Sequence, residues 1–239
     1  MKFEYTKKII SLLEEVEEKN SDALEVAIDK FVETIKNDKI IHAFGTGHSH
    51  MVGIELFARA GGLANVNAMI DADTITAMGA QRSCALEKLS GIADIIYDNY
   101  KINQGDIMII TSNSGRNAVP IEMALRCQKE GIYVIAITNI SQSLSQESRH
   151  SSGKRLLECA DLVIDTLVPS GDAMINVGNI KTGPASNLVG FSIVNTITSE
   201  AIKRCKEEDI KVMVFQSQNV DGYNNDDIYH KYDGRIKHY

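Results

Sequence analysis

Two short loops constrain this chain more than any other feature. Gly45-Thr46-Gly47-His48-Ser49-His50 follows the apolar run Ile40 to Phe44, and Thr111-Ser112-Asn113-Ser114-Gly115-Arg116 follows the run Asp106 to Ile110. Each run reads as a buried strand, and each loop precedes a segment with helical periodicity. A strand, a tight Gly/Ser loop and a helix start form an anion cradle: backbone N–H groups point outward, the helix dipole favours negative charge, and hydroxyls add donors. Taken singly, each loop also reads as an ordinary strand-to-helix turn with a hydroxyl cap. The pair, at one end of one parallel sheet, points to phosphate.

The rest of the chain fits that sheet. Residues 3–36 read as a helical hairpin, with an apolar stripe from Ile9 to Val16, a break and N-cap at Asn20-Ser21-Asp22, and a second stripe from Leu24 to Ile35. Alternation then begins: strand 40–44, helix 49–60 closed by Gly61-Gly62, strand 64–70, helix 81–98, strand 106–111, helix 117–130, strand 132–137. A Ser/Gln-rich loop at 141–152, helix 153–160, strand 162–168, a loop at 169–183 and a long helix 184–206 follow. Residues 212–215 read as a last short strand and 225–238 as a tail helix. Alternating strands and helices imply an α/β fold with a doubly wound parallel sheet, whose ligands bind beyond the strand C-termini near a switch in strand order. The division expected is an N-terminal hairpin (1–37) and α/β core (38–206) forming one domain, with a C-terminal extension at 207–239.

Composition narrows the partners. With 239 residues and 44% hydrophobic content the chain can fill a core, and its net charge of −7 comes without a long basic run. That argues against nucleic acid, whose phosphate backbone needs clustered Lys and Arg, and leaves a small anion open. Cys84, Cys127, Cys159 and Cys205 show no metal-site spacing and suit a reducing cytoplasm. No apolar run approaches the ~20 residues that span a bilayer, so no membrane role is expected. A nucleotide P-loop is absent. The dinucleotide fingerprint fails because His50 stands where a third Gly is required, which weakens a dinucleotide-binding reading with Asp71 or Asp73 on the ribose.

Phe44-Gly45-Thr46-Gly47-His48-Ser49, Ile110-Thr111-Ser112-Asn113-Ser114-Gly115 and Lys181-Thr182-Gly183-Pro184-Ala185-Ser186-Asn187 together resemble the sugar isomerase (SIS) domain over residues 1–206. Within that family, Gly45 to His50 with Phe57-Ala58-Arg59-Ala60-Gly61-Gly62 is similar to uncharacterised SIS proteins labelled as phosphoheptose isomerases. The resemblance implies a flavodoxin-like sheet, a sugar-phosphate ligand, no cofactor, and a homodimer or homotetramer. It implies phosphate contacts from Ser49, Ser112, Ser114 and Thr138, with Gly47, His48, Asn113, Gly115 and Ser186 lining the same site. Phosphoheptose isomerases carry a His and a Glu, in some cases binding zinc, where this chain has Glu55 and Arg59. Arginine cannot ligate a metal, so no metal is expected, although the closeness of His48, His50 and Glu55 still permits one. Sugar-lactyl etherases of the superfamily place an acid/base glutamate at the position of Arg59.

Aldose–ketose isomerisation needs a base beside a carbonyl and an acid or cation for the enediolate. Four residues are candidates. His48 and Glu55 share a helical face with Met51, Val52 and Arg59, although Glu55 and Arg59 also suit a plain i,i+4 ion pair. Glu87 follows a polar stretch at the sheet's C-terminal edge, or is a solvated helix carboxylate. His150 sits in the basic run Arg149 to Arg155, which would attract a dianion or is a surface loop. A sugar-phosphate isomerase leads. A phosphosugar sensor without turnover, or a lyase or etherase, remains open.

Overall fold

A computed structural model describes residues 2–239. Two antiparallel helices, α1 (Glu4–Lys19) and α2 (Ser21–Lys36), precede five parallel strands: β1 (Ile41–Gly45), β2 (Val66–Met69), β3 (Ile107–Thr111), β4 (Tyr133–Thr138) and β5 (Leu162–Asp165). Their order is β2-β1-β3-β4-β5, the doubly wound arrangement expected. The strands read as continuous apolar runs because both faces are covered. Ile41, Ala43, Ile109, Ile135 and Ile137 pack beneath α1, α2, α3 (His50–Leu56) and α8 (Ser186–Glu207). Phe44, Met108, Ile110, Val134 and Ala136 face α5 (Ile92–Asp98) and α6 (Ala118–Lys129). Each Ile, Val, Phe or Met among them contributes about 1.5–3 kcal/mol by leaving water.

The switch in order falls between β1 and β3. The chain leaves β1 toward α3 on one face and leaves β3 toward α6 on the other. Gly45 and Thr111 are register partners at the ends of these neighbouring strands. The loops 46–49 and 112–117 therefore flank one crevice at the C-terminal edge, with strands about 4.8 Å apart beneath them.

Several expected elements differ, each for a local reason. The helix expected at 49–60 is α3, ending at Leu56. Residues 57–64 are stapled instead to the C-terminal tail, where Gly61 N–H donates to Phe215 O and Phe215 N–H to Gly62 O. The helix expected at 81–98 is two, α4 (Ala80–Leu86) and α5, and the break falls where Glu87 turns into the crevice. The helix expected at 153–160 is one short turn at Leu156–Glu158, because Leu156 N–H is drawn to Gly115 O. A short helix, α7 (Ile140–Leu144), stands in the Ser/Gln-rich segment.

The loop expected at 169–183 is an antiparallel hairpin, β6 (Ala173–Val177) and β7 (Ile180–Pro184). Gly178-Asn179 between them is a two-residue hairpin signature. Pro184 thus ends a strand, and α8 starts at Ser186. Asn20 does not cap α2 with its side chain. It donates to Val16 O (2.7 Å) and Asp165 O (3.0 Å), pinning the helical hairpin to the end of β5. In the tail, Val214 makes a single bridge to Leu63 rather than a strand, and α9 covers Asp226–Tyr232 only. The tail buries Ile228, Tyr232 and Ile236 against Ile40 and Ala64, and Tyr239 donates to Ala64 O (2.8 Å). It shields the edge beside β2, which would otherwise offer unpaired backbone groups.

Candidate functional site

The first loop is held open by its own backbone. Gly47 lies at φ +56°, and a side chain there would meet nothing within 4 Å. Its N–H donates to Thr74 O (2.8 Å), tying the loop to the segment that carries Glu87. Gly45 is closely approached, and a Cβ would stand 2.7 Å from the Ser49 carbonyl carbon. His50 Nδ1 bonds Gly47 O. Ser49 makes no side-chain cap to α3, contrary to expectation; its φ and ψ are already helical, and the turn is closed by backbone bonds from Ser49 to Thr46 O and from Val52 to Ser49 O.

The second loop rests on buried hydroxyls. Ser112 is buried, and its Oγ accepts Gly115 N–H (3.3 Å). Thr138 is wholly buried beneath the loop and donates to Asn113 O (3.4 Å). The Asn113 side chain bridges Thr166 and Gln142. Gly115 presses close, since a Cβ there would lie 2.8 Å from Thr138 Oγ1 and 3.1 Å from Ser143 Oγ. Ser114 is half-buried, and its hydroxyl has no partner among the described residues.

Glu87 lies between the loops. Its Oε2 accepts from Thr46 Oγ1 (2.9 Å), and its Oε1 accepts from Asn117 Nδ2 (2.8 Å). Asn117 Oδ1 in turn accepts from Arg149 Nη1 (2.8 Å). Burial pushes the Glu87 carboxyl up; the Thr46 hydrogen bond and the charges of Lys88 and Arg149 oppose this without cancelling it. Thr46, Asn117 and Arg149 were not singled out from sequence. Their signals were a Thr inside the first loop, an Asn at a helix start and an Arg in the basic run.

The other candidates sit elsewhere. His48 is exposed and lines two concavities beside α8. One of about 300 Å³ is shared with Asp172 and Ser186, and one of about 620 Å³ with Met51, Glu55 and Phe191. Glu55 has both oxygens occupied, by Arg59 Nη1 (2.8 Å) and Asn195 Nδ2 (2.7 Å). Val52, expected on the face of His48 and Glu55, is buried in the core. Ser186 is held by Asp172, whose carboxylate accepts from Ser186 Oγ (2.8 Å), Ser186 N–H (2.6 Å) and Ala185 N–H (3.0 Å). The α8 N-terminus thus faces a carboxylate of its own chain. His150 lies against Glu122 (3.3 Å) and Ser152 (2.8 Å), outside both loops. Among the described residues no group of three His, Cys, Asp or Glu is placed to hold a metal, and no helix is long and apolar enough to cross a membrane.

A further cleft of about 380 Å³ lies at the opposite sheet edge, lined by Lys30, Lys39, Asp106 and Tyr133. Lys30 is paired with Glu33 and Lys39 with Gln104 O, and no helix N-terminus opens there. The starts of α3 and α6 open instead at the C-terminal edge.

Known proteins share this architecture. A family model described as the SIS domain matches residues 4–139. UPF0309 protein lin2794 of Listeria innocua is 39% identical over 231 residues, covering 95% of this chain and 94% of its own length. UPF0309 protein TTE0306 of Caldanaerobacter subterraneus is 36% identical over 241 residues, covering 98% of each. Among solved structures, phosphoheptose isomerase GmhA of Neisseria gonorrhoeae superposes with a TM-score of 0.56 at 17% identity, over 82% of this chain and 94% of that one. The NanR protein of Vibrio vulnificus, solved with ManNAc-6P, gives 0.52 at 16% identity, over 86% and 63%. At such identities these structures share the fold alone. The parallel sheet, the paired loops, the family match and the full-length relatives agree: the chain belongs to the SIS-domain family, among the UPF0309 proteins.

Proposed function

We propose that this protein binds a phosphorylated sugar at the paired loops and interconverts its aldose and ketose forms by proton transfer at Glu87. The observation that carries this reading is the half-buried carboxylate spanning Thr46 and Asn117 at the mouth of two amide-bearing loops. Gly47, Ser49, Ser112, Asn113, Ser114 and Gly115 form the phosphate cradle, supported from below by Thr138. Glu87 removes the proton beside the carbonyl, leaving an enediolate whose hydroxyl proton passes from one oxygen to the other, and returns the carbon-bound proton to the neighbouring carbon. A carboxyl raised by burial is a stronger base once ionised and a usable acid once protonated. His48, on the open side toward α8, serves ring opening, and Ser186 with Asp172 bounds the sugar end. Glu55 and His150, already engaged by other side chains, have no proton-transfer role in this reading. The exposed apolar side chains Met51, Ile54 and Leu188 beside His48 suit burial in a homodimer or homotetramer.

A sensor without turnover is the second reading; NanR, which has the same fold, was solved with a phosphorylated sugar bound. Thermal-shift screening with hexose, heptose, pentose and amino-sugar phosphates, followed by NMR of each hit, separates them. Isomerisation of a hit, lost in Glu87→Gln with binding retained, supports catalysis. Binding without conversion supports the sensor, and no binding at millimolar ligand overturns both.

A further inference from the structure

The Glu87 carboxylate is not held by the loops alone. Asn117 spans it and a cation: Nδ2 donates to Glu87 Oε1 at 2.8 Å, and Oδ1 accepts Arg149 Nη1 at 2.8 Å. Arg149 is itself fixed, because its backbone N–H donates to Arg116 O (2.8 Å), in the second loop. We propose that Arg149 is a positioning residue that acts through the Asn117 amide to aim the Glu87 carboxylate into the crevice and to favour its ionised form. The catalytic half of this inference rests on the proposed isomerase reading; the structural half does not.

The chemistry of the relay is directional. A guanidinium has donors only, so the amide must turn its oxygen toward Arg149 and its NH₂ toward the carboxylate. The amide dipole then lies between a positive and a negative group, in the orientation that stabilises both. Glu87 Oε1 receives this bond and Oε2 the Thr46 hydroxyl, so the carboxylate plane is fixed from two sides. The charged groups acting on Glu87 are Lys88, its neighbour in the chain, and Arg149, from the segment packed against the second loop. The first loop contributes Thr46 and the start of α6 contributes Asn117, both uncharged. Arg149 is therefore the cation brought to Glu87 from another part of the fold. The sequence marked Arg149 to Arg155 as a basic run, and this assigns one of its members a specific task.

Two measurements on the full chain test the proposal. The carboxyl ¹³C resonance of Glu87, assigned by its loss in Glu87→Gln, is titrated in the native protein, Arg149→Gln and Asn117→Ala without ligand. Both variants should titrate at higher pH than the native protein, since each removes support for the anion. With a sugar phosphate that the native protein converts, both should lose about 10²-fold in kcat, as for a displaced reacting group, with a smaller change in KM. Arg149 is exposed, so Arg149→Gln should stay folded, which its melting curve checks. A Glu87 midpoint unmoved in both variants overturns the proposal; a midpoint that moves only in Asn117→Ala overturns the role of Arg149. If the midpoints move while no sugar phosphate is bound or converted, the isomerase reading fails and the positioning of Glu87 stands.

Discussion

The first loop contains two glycines that the structure distinguishes, and their replacement by alanine gives a graded prediction. At Gly45 a Cβ would lie 2.7 Å from Ser49 C and O and 2.9 Å from His50 N. Carbon contacts are ordinarily about 3.5–4.0 Å, and these neighbours are backbone, so the turn itself must move. Overpacking of that kind costs about 3 kcal/mol. At Gly47 the added Cβ meets nothing, and only the left-handed φ of +56° opposes it. That costs about 1–2 kcal/mol, offset in part by about 0.4–1 kcal/mol of lost freedom in the unfolded chain. For a chain of this size 1 kcal/mol moves Tm by about 2–4 °C. Gly45→Ala should lower Tm by about 6–12 °C, and Gly47→Ala by about 6 °C or less. Differential scanning calorimetry of both variants decides it. Equal shifts, or a larger loss in Gly47→Ala, would refute the described turn. The open space at Gly47 adds a second outcome: this variant should lose the Tm gain that a sugar phosphate gives the native protein, because its methyl group stands in the cradle.

Further predictions follow from buried polar groups and the tail. Burial would raise Asp106, but hydrogen bonds from His42, Ile40 N–H and Asn103 N–H, with the His42 charge, hold it below the usual carboxylate range. Its stabilisation is present above the ordinary Asp range and lost as pH falls through the depressed folded value; Asp106→Asn should cost about 3 kcal/mol at neutral pH and flatten the acid limb of a urea-stability profile. Glu87 has the opposite sign. Its raised carboxyl makes the fold lose stability as pH rises from the ordinary Glu range to the folded value, and Glu87→Gln should remove that slope. In catalysis the native kcat/KM should rise with pH through the same folded value. Tyr232→Ala should cost about 3–4 kcal/mol in urea unfolding, because its ring is buried in the tail cluster.

The parallel sheet was legible because its strands are continuous apolar runs ended by Gly- or Ser-bearing loops, and Gly45 and Thr111 do end level with each other. Helix ends were less legible. Leu56 ends α3 because Phe215, more than 150 positions away, takes the backbone of Gly61 and Gly62, and no local pattern records that partner. The hairpin at 173–184 was missed although Gly178-Asn179 marks it, since its strands are short and largely exposed and β7 carries Gly183 and Pro184, which read as loop. Within the site, Glu55 stood out through helical spacing, yet its carboxylate meets Arg59 and Asn195. Glu87 carried no spacing signal, because its partners Thr46 and Asn117 lie on two separate loops and meet only when the sheet forms.

Amide mapping by NMR with a sugar phosphate decides whether the two loops bind one phosphate together. The amides of Gly47, Ser114, Gly115 and Asn117 should shift together with a single affinity, and those of Lys30 and Tyr133 at the opposite edge should stay put. Shifts confined to the Lys30–Tyr133 cleft, or shifts in one loop that leave the other unmoved, would contradict that joint binding.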